Sequence, residues 1–385
     1  MTMLASTATP LAQTLAIQSQ IHLPGTVGRI LKQIRDLERI APKFVSAGLV
    51  KPVNRQNPLT VRVSGIATKG SVVKTVGGFL FGSAASRIDL KVEANGVGTA
   101  GQDSTCIIDD INYENQSKRM ALAAVKQAYE LADRAVEEGV CDILFMDTPL
   151  VMDRSLVPRN EAGEDEGYRV AYQDALAATE HFWSRHREQL FPWNPNGPVV
   201  VGLAAERFGA IIRSASDDLR HKTTRDQILP DEGITRDQLQ LLDGIGATIL
   251  SIGERRFVHG ILGSFTRTAA FRINLHAPRM EPASVVSHGV IGLHYRADIM
   301  TGPRLIQLIG DAPLWTQAEI NRVVGIAMTL TAVGGAEAAP LPVQLADKEL
   351  TALEPFLDHY RRSVAIEMKQ RHIEDTWLGG LGQPL

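Results

Sequence analysis

The sequence predicts an α/β protein, and two neighbouring stretches carry that prediction. Residues 120–138 (MALAAVKQAYELADRAVEE) are rich in alanine, place apolar residues at helical spacing and stop at Gly139, the residue expected just past a helix C-terminus. The apolar run at residues 143–146 (ILFM) follows and is typical of a strand buried on both faces. A helix that leads into a buried strand is the α/β arrangement in which ligands gather at the carboxyl ends of strands.

The composition is that of an ordinary globular protein. Of the 385 residues, 44% are hydrophobic and 22% are charged, which argues against wholesale disorder and allows one elaborated domain or two packed lobes. A formal net charge of −3 excludes a protein that holds nucleic acid by bulk charge. Any contact with DNA therefore needs a local basic patch.

Cysteine content and hydropathy exclude further classes. Cys106 and Cys141 are too few for a disulfide framework and lack the spacing of a zinc site. No apolar stretch reaches the length of a membrane span, and the N-terminus lacks the basic and apolar regions of a signal peptide. We therefore predict a cytoplasmic protein with no membrane partner.

Two helices are predicted near the N-terminus, over residues 11–21 and 25–47, because Pro24 interrupts the helical pattern. The second helix carries an apolar stripe. Such a stripe usually packs on the protein's own core, and the alternative is a face that docks on a partner. The stripe consists of Val27, Ile30, Leu31, Ile34, Leu37 and Ile40.

The next block predicts strands that are rich in Val and Ile and punctuated by glycine. Gly77, Gly78 and Gly82 invite comparison with a phosphate-binding loop, but no Gly-Lys-Ser/Thr ending follows and the spacing does not match. Close strand packing or a hairpin is the better interpretation of these glycines. The predicted strands span residues 59–63, 72–81, 86–97 and 105–111.

Acidic residues follow two of the predicted strands. Asp147 comes directly after the buried ILFM strand, which makes it the first candidate for chemistry, although an aspartate there can also cap the following turn. Asp109 and Asp110 end the last strand of the preceding block, and Glu114 follows. These three acids form a second candidate cluster, and the alternative is a helix N-terminus with acidic residues near its dipole.

Another buried strand is predicted at residues 199–203, and charged residues of both signs follow it. Glu206, Arg207 and Arg213 lie in this segment. A basic run that includes Lys222 comes next. Such a run is most often solvated, and contact with nucleic acid is the alternative.

The C-terminal third combines a helix-like segment, strands and a capped helix. The helix-like segment ends in GERR, which contains Arg255 and Arg256. Thr316, with Glu319 three residues on, has the spacing of a capping box and predicts the start of an amphipathic helix. The strands of this region are predicted at residues 269–275, 285–295 and 304–309, and the helices at 316–333 and in a region that ends near Trp377.

Five short segments follow one another in an informative order. They are MDTPLV (146–151), VVVGLAAERFGAIIR (199–213), GERR (253–256), APLW (312–315) and APLPVQLADKEL (339–350). This order resembles that of NurA-type nucleases. By that resemblance Asp147 would be an internal metal ligand, and Asp347 falls where the family places a late metal-binding His or Asp.

The resemblance implies an RNase H-like α/β core with a mixed central sheet flanked by helices, plus N-terminal helices and helical insertions. It implies a homodimer, a HerA-type hexameric ATPase as partner, and resection of DNA ends with Mn²⁺ or Mg²⁺. The cation would be held by Asp147, Asp347 and a further acid. The candidates for that acid are Asp109, Asp110, Glu114 and Glu206, and the residues expected to contact DNA are Arg207, Arg213, Lys222, Arg255 and Arg256.

The sequence also departs from the family pattern. The family begins with a strand that carries Asp-Gly-Ser, whose Asp is a principal metal ligand. Here Ser64-Gly65 and Phe81-Gly82-Ser83 are the matching sites, and neither has the Asp. A Glu expected early on the following helix would fall near Ala123 or Ala124. Hard divalent cations need several oxygen ligands, so these losses bear directly on catalysis.

Three functions remain open from the sequence. The first is a metal-dependent DNA nuclease that works beside the ATPase, and the second is a NurA-like adaptor that docks on the ATPase without cleaving DNA. The third is an unrelated α/β enzyme with a small-molecule pocket, because buried strands with terminal acids recur across many folds. We predict an N-terminal helical region over 1–50, a main domain over 51–350 with insertions near 153–196 and 214–240, and a C-terminal helix and tail over 351–385.

Overall fold

The computed structural model contains one mixed sheet of ten strands with helices on both faces, which confirms the predicted α/β class. It describes residues 10–55, 60–74, 79–111, 115–150, 152, 154–159, 165–204, 228–273, 289–310, 312–335 and 337–371.

The strands and helices of these residues are numbered in chain order. The strands are β1 (Val50–Pro52), β2 (Val61–Lys74), β3 (Phe79–Glu93), β4 (Gly96–Ile111), β5 (Ile143–Met146), β6 (Val199–Ala204), β7 (Thr266–Thr268), β8 (Phe271–Arg272), β9 (Val290–Arg296) and β10 (Arg304–Ile309). The helices are α1 (Leu11–Ser46), α2 (Gln116–Glu137), α3 (Glu166–His186), α4 (Arg236–Gln240), α5 (Gly246–Ile252), α6 (Glu254–Ile261), α7 (Gln317–Gly334), α8 (Leu341–Glu349) and α9 (Leu353–Gln370).

The sheet is built around an antiparallel meander to which parallel strands are added. Strands β2, β3 and β4 pair antiparallel, whereas β5 pairs parallel with β2 and β6 pairs parallel with β5. The full order is β1-β7-β9-β10-β6-β5-β2-β3-β4, with β8 beside β9. The meander with two parallel strands beside its first strand is the predicted RNase H-like core.

Helices cover both faces of this core. On one face, α7 and α8 contribute Val324, Met328 and Val343 to a cluster with the central strands. On the other face, α2 and α3 contribute Tyr129 and Trp183. The central strand β5 is consequently buried along its whole length, as its continuous apolar sequence predicted.

The first strands are longer than the sequence predicted. Residues 64–71, which contain Gly65 and Gly70, were expected to lie outside strands, but they pair without interruption inside β2. The pairing depends on backbone hydrogen bonds to β3, which do not require Val or Ile, so propensity alone ended the predicted strands too early. Gly77 and Gly78 lie outside the described residues, between the paired ends Lys74 and Phe79.

The N-terminal region is one helix, so the predicted division at Pro24 was wrong. Helix α1 runs for 36 residues with Pro24 inside it. Its buried residues are Ile40 and Phe44, close to the C-terminal end, where the helix packs on α5 and α6. Most of the predicted apolar stripe is exposed.

Two local predictions from the C-terminal third can be compared directly. The side chain of Thr316 accepts a hydrogen bond from the backbone N–H of Glu319, at 3.2 Å, so the predicted N-cap is confirmed. Strand β10 spans the predicted residues 304–309. None of the described helices combines the length and hydrophobicity needed to cross a lipid bilayer.

Candidate functional site

Asp147 lies at the carboxyl end of β5, as the sequence predicted, and its neighbours fix its position. Its backbone N–H donates to the carbonyl of Ile66 on β2 at 2.8 Å. Three residues on, the backbone N–H of Leu150 donates to the side-chain oxygen of Gln307 at 2.6 Å. Leu150 passes directly over Gly202 of β6, where an added Cβ would lie 2.6 Å from the leucine side chain. The turn after Asp147 is therefore held from both neighbouring strands.

The side chain of Asp147 forms an ion pair with Arg304. Arg304 begins β10, two strands away from β5, and its Nη2 donates to Oδ1 of Asp147. The arginine side chain is 17% exposed and the aspartate side chain 34% exposed, so the pair is partly withdrawn from water. Within the described residues, Nε of Arg304 has no hydrogen-bond partner. Asp147 is thus the charged partner of this guanidinium.

Asp347 also approaches Asp147. Burial is the largest cause that raises the pKa of Asp147, the negative charge of Asp347 raises it further, and the charge of Arg304 opposes both. The carboxylate of Asp347, exposed on α8, is therefore close enough to Asp147 to repel it. The cation site predicted to be shared by these two acids stays a prediction.

Helix α8 carries Asp347, and two contacts position that helix. The backbone of Pro342 and Val343 lies so close to Gly65 of β2 that a Cβ there would overlap it. The hydroxyl of Tyr295 lies 3.1 Å from both Thr331 Oγ1 and the carbonyl oxygen of Ala338, so it joins β9 to α7 and to the segment before α8. Burial raises the pKa of Tyr295 to about 12, so the hydroxyl keeps its proton.

Comparison with solved structures identifies the fold. A crystal structure of the NurA nuclease from Sulfolobus solfataricus matches with a TM-score of 0.56 at 12% identity, over 91% of this chain and 97% of that one. The chain therefore has the NurA fold. A crystal structure of NurA with manganese matches at 12% identity with a TM-score of 0.41, over 90% of this chain and 98% of that one. No protein-family model and no curated protein sequence matches the chain.

Strand β2 also carries Lys69 close to the level of Asp147. Ile66 pairs with Met146, so Asp147 is level with Ala67 and Lys69 lies two residues further along. Strand spacing then puts the Cα atoms of Lys69 and Asp147 about 8 Å apart.

Lys69 lies on the face of the sheet that α7 and α8 cover. Ala67 and Phe145 belong to the cluster under α7 and α8, and the alternation along β2 places Lys69 on the same face. Its Nζ is 3.1 Å from a carboxylate oxygen of Glu354 on α9. The two sites considered from the sequence point elsewhere, because the buried hydroxyls of Ser64 and Ser83 donate to Asp89 and Gln127.

The structure does not bring Asp109 and Asp110 to Asp147, which corrects their predicted role in the same cation site. Asp109 of β4 pairs with Phe81 of β3, and Phe81 pairs with Val72 of β2. Val72 is five residues beyond Ala67, the residue level with Asp147, and β4 is three strands away from β5. The strand spacings give a separation of about 20 Å. The meander extends well past the end of β5, and the sequence does not reveal that overhang. Glu114 lies outside the described residues.

The residues predicted to contact DNA fall into two groups. Arg255 and Arg256 lie on α6, and Arg256 donates to the side-chain oxygen of Gln33, so it contributes to the contact between α6 and α1. The remaining predicted residues lie outside the described part of the chain. They are Arg207, Arg213 and Lys222, and Glu206, a candidate for the further acid of the cation site, also lies outside it.

The described residues do not fit a divalent cation. Among them, no group of three or more His, Cys, Asp or Glu side chains is close enough together to hold a metal. Asp147 already faces the guanidinium of Arg304. Mg²⁺ and Mn²⁺ prefer several oxygen ligands, and no group of side chains among the described residues meets that requirement.

Proposed function

We propose that this protein is a NurA-like adaptor that docks on a HerA-type hexameric ATPase in DNA end processing or defence against foreign DNA, without metal-dependent cleavage. The observation that carries the proposal is the ion pair between Asp147 and Arg304, because it neutralises the carboxylate that the family uses as a metal ligand. The fold supports the adaptor part, since a docking surface does not depend on the acids of the active site. We propose that the chain docks as a homodimer.

Helix α1 is the proposed docking element. At 36 residues it is about 54 Å long, and its C-terminal end alone is packed into the core. Exposed apolar surface of this extent on one helix is typical of an interaction site. Over residues 11–34 of α1 the exposed large apolar residues, between 42% and 73% exposed, are Leu11, Leu15, Ile17, Ile21, Leu23, Val27, Ile30, Leu31 and Ile34.

Co-purification with a HerA-type ATPase from the same organism tests the docking role. Leu15→Glu with Ile21→Glu should weaken binding by at least about tenfold, because charged side chains cannot be buried in an apolar interface without a partner. The matched control, Gln13→Glu with Gln20→Glu, adds the same charge to exposed polar positions of α1 and should bind like the wild type. Unchanged binding of the Leu15/Ile21 variant would remove α1 as the docking element.

A metal-dependent nuclease is the second candidate, and the approach of Asp347 to Asp147 favours it. Purified protein, alone and with the ATPase, should be incubated with linear DNA and Mn²⁺ or Mg²⁺. Our proposal expects the DNA to remain intact. Cleavage that requires the metal and is lost in Asp147→Ala would replace the adaptor with the nuclease.

A further inference from the structure

We propose that the outer edge of β4 is a docking site for an extended segment of a partner protein in which apolar and basic side chains alternate. The segment would pair with β4 as a further strand of the sheet and would place its apolar side chains in a groove between β4 and α9. This inference goes beyond the proposed function, because the surface includes neither α1 nor Asp147.

Strand β4 forms one end of the sheet. Within the part of the chain that the structure describes, it pairs only with β3, so no strand lies beside its other edge. The ladder with β3 is regular from Gly101 to Ile111, beyond an irregularity between Asp89 and Leu90. This stretch contains neither lysine nor proline, two residues that commonly protect an exposed edge from further pairing. The edge can therefore accept another strand.

A groove of about 620 Å³ runs along one face of this edge. Its opposite wall is the turn Leu350–Ala352 and the start of α9, including Leu353 and Phe356. Leu353 rests against β3, because a Cβ added at Gly82 would lie 3.2 Å from its side chain, and the groove opens between α9 and β4. The β4 residues on this face are Gln102, Ser104, Cys106 and Ile108.

The walls of the groove suit the side chains of an added strand. Phe356 is 46% exposed, and beside it Leu353 and Ile108 also line the groove. In peptide recognition by strand addition, backbone hydrogen bonds supply affinity and pockets for alternate side chains supply specificity. Every second residue of the occupant would face this groove, so we expect apolar side chains at those positions.

The charges around the groove indicate basic residues in the occupant. Glu349 lines the groove, and Asp109 and Asp110 follow Ile108 on β4. All three are exposed, and none of them forms an ion pair with a described residue. None of the described residues that line the groove is a lysine or an arginine. Basic side chains between the apolar ones would therefore meet complementary charge.

The simpler interpretation is that these acids only protect the edge from pairing with other chains. They do oppose a second copy of this chain. If two β4 strands paired antiparallel about Cys106, Asp103 would lie opposite Asp109, and like charges directly opposite each other destabilise a sheet. A basic segment meets attraction at the same positions. Simple protection predicts that no peptide binds, whereas our inference expects a basic peptide to bind.

Fluorescence anisotropy with labelled peptides and the full chain tests the inference. The probes have about nine residues, since Gln102 to Asp110 spans about 27 Å, and they alternate Lys with Val, Glu with Val, or Lys with Ser. The Lys-Val peptide should bind at least about tenfold more tightly than either of the others. Methylation of its backbone nitrogens at alternate residues should weaken binding by at least about tenfold, because strand pairing is blocked.

Variants of the groove separate its apolar and charged contributions. Phe356→Asp should weaken binding of the Lys-Val peptide at least about tenfold, whereas Ile366→Asp, on an exposed part of α9 outside the groove, should bind like wild type. Asp110→Lys combined with Glu349→Lys should reverse the preference, so that the Glu-Val peptide binds more tightly. Circular dichroism and thermal unfolding identify folded variants, and Phe356→Ser replaces Phe356→Asp if the latter does not fold.

Three results would overturn the inference. The first is a Lys-Val peptide that binds no more tightly than the Glu-Val peptide, or that binds a folded Phe356 variant as tightly as wild type. The second is a wild-type dimer that sedimentation shows to dissociate in Phe356→Asp, because a second copy would then occupy the edge. The third is peptide binding that requires deletion of residues 372–385, which would assign the groove to the chain's own C-terminal segment.

The α1 variant distinguishes failure of this inference from failure of the proposed function. Leu15→Glu with Ile21→Glu should bind the Lys-Val peptide like wild type, because neither residue lines the groove. Loss of peptide binding in this variant would also count against the site on β4.

Discussion

At the scale of single residues, the electrostatic contact between Asp347 and Asp147 has a measurable consequence. Burial raises the pKa of Asp147, and the charge of Asp347 raises it further. Asp347→Asn should therefore lower the pKa of Asp147, because the repulsion is removed while burial and Arg304 remain. The chemical shift of the carboxyl carbon of Asp147, followed by NMR through a pH titration, measures the change.

A control variant separates this contact from a general charge effect. Asp358→Asn, an exposed acid of α9 that pairs with Arg361, removes the same charge and should leave the pKa of Asp147 unchanged. The pKa of Asp147 is higher in the folded state than in the unfolded state, so its protonated carboxyl stabilises the folded protein. This stabilisation is complete below the unfolded pKa of about 3.9 and is lost as the pH rises through the folded-state pKa. An unchanged pKa in Asp347→Asn would place Asp347 away from the site.

Some residues around Asp147 can be predicted from the sequence, and others cannot. Asp147 could be predicted because its signal is local, an apolar run that ends in an acid. Asp347 was predicted through the family resemblance, since nothing in its own helix marks it. Arg304 has no local signal, because its partner is 157 residues away in the chain.

At the scale of elements, the contact between β2 and α8 should be sensitive to one methyl group. Gly65→Ala would put a Cβ into the backbone of Pro342 and Val343, so the start of α8 must move. We expect a loss of about 1–3 kcal/mol in the free energy of unfolding, as for other overpacked core positions. Urea unfolding measures this loss, and the pKa of Asp147 should also fall because Asp347 moves with α8.

Gly98→Ala is the matched control for this prediction. Gly98 lies in β4, and an added Cβ there meets no atom within 4 Å. Alanine in a strand interior is favoured over glycine by roughly 0.5–1 kcal/mol, so the control should be neutral or slightly stabilising. Equal destabilisation by both substitutions would mean that α8 does not rest on β2 as described.

Some ends of helices and strands are set by local sequence, and others are set by the elements that pack or pair with them. The cap at Thr316 could be predicted because both of its groups lie within four residues of sequence. The length of β2 could not, because it depends on the β3 ladder, and the continuity of α1 through the exposed Pro24 has no local signal in the sequence. Local signals therefore identify where elements start more reliably than how far neighbours extend them.

At the scale of the whole molecule, a buried charged group joins four distant segments. Glu232 accepts hydrogen bonds from Arg267 of β7 at 2.7 Å and from the backbone N–H of Ala270 at 2.8 Å, and Lys51 of β1 lies 2.6 Å from its other oxygen. Arg267 also donates to Asn321 of α7 at 2.7 Å. The side chains of Glu232 and Arg267 are buried, so this network ties the N-terminal edge of the sheet to the helix layer.

Removing the charge of Glu232 should destabilise the whole fold. Glu232→Gln leaves Arg267 and Lys51 without their carboxylate, and breaking a buried pair in this way costs about 3–5 kcal/mol at pH 7. Glu367→Gln, which removes the exposed partner of Arg371, should cost less than about 1 kcal/mol. Urea unfolding of both variants measures the difference, and similar losses would show that the network does not contribute to global stability.

The difference in the free energy of unfolding between wild type and Glu232→Gln should depend on pH, and the pKa of Glu232 gives the sign. Burial alone would raise the pKa of Glu232, but the charges and hydrogen bonds of Arg267 and Lys51 and the Ala270 N–H outweigh it and lower the pKa. The stability that this carboxylate provides is therefore complete above its unfolded pKa, about 4.3, and is lost as the pH falls through the lower folded value. The difference in the free energy of unfolding between wild type and Glu232→Gln should therefore become smaller as urea unfolding is repeated from pH 7 to below the folded-state pKa. A difference in the free energy of unfolding that stayed constant over this pH range would mean that Glu232→Gln destabilises the protein through packing. The ionised carboxylate would then have no part in joining the four segments.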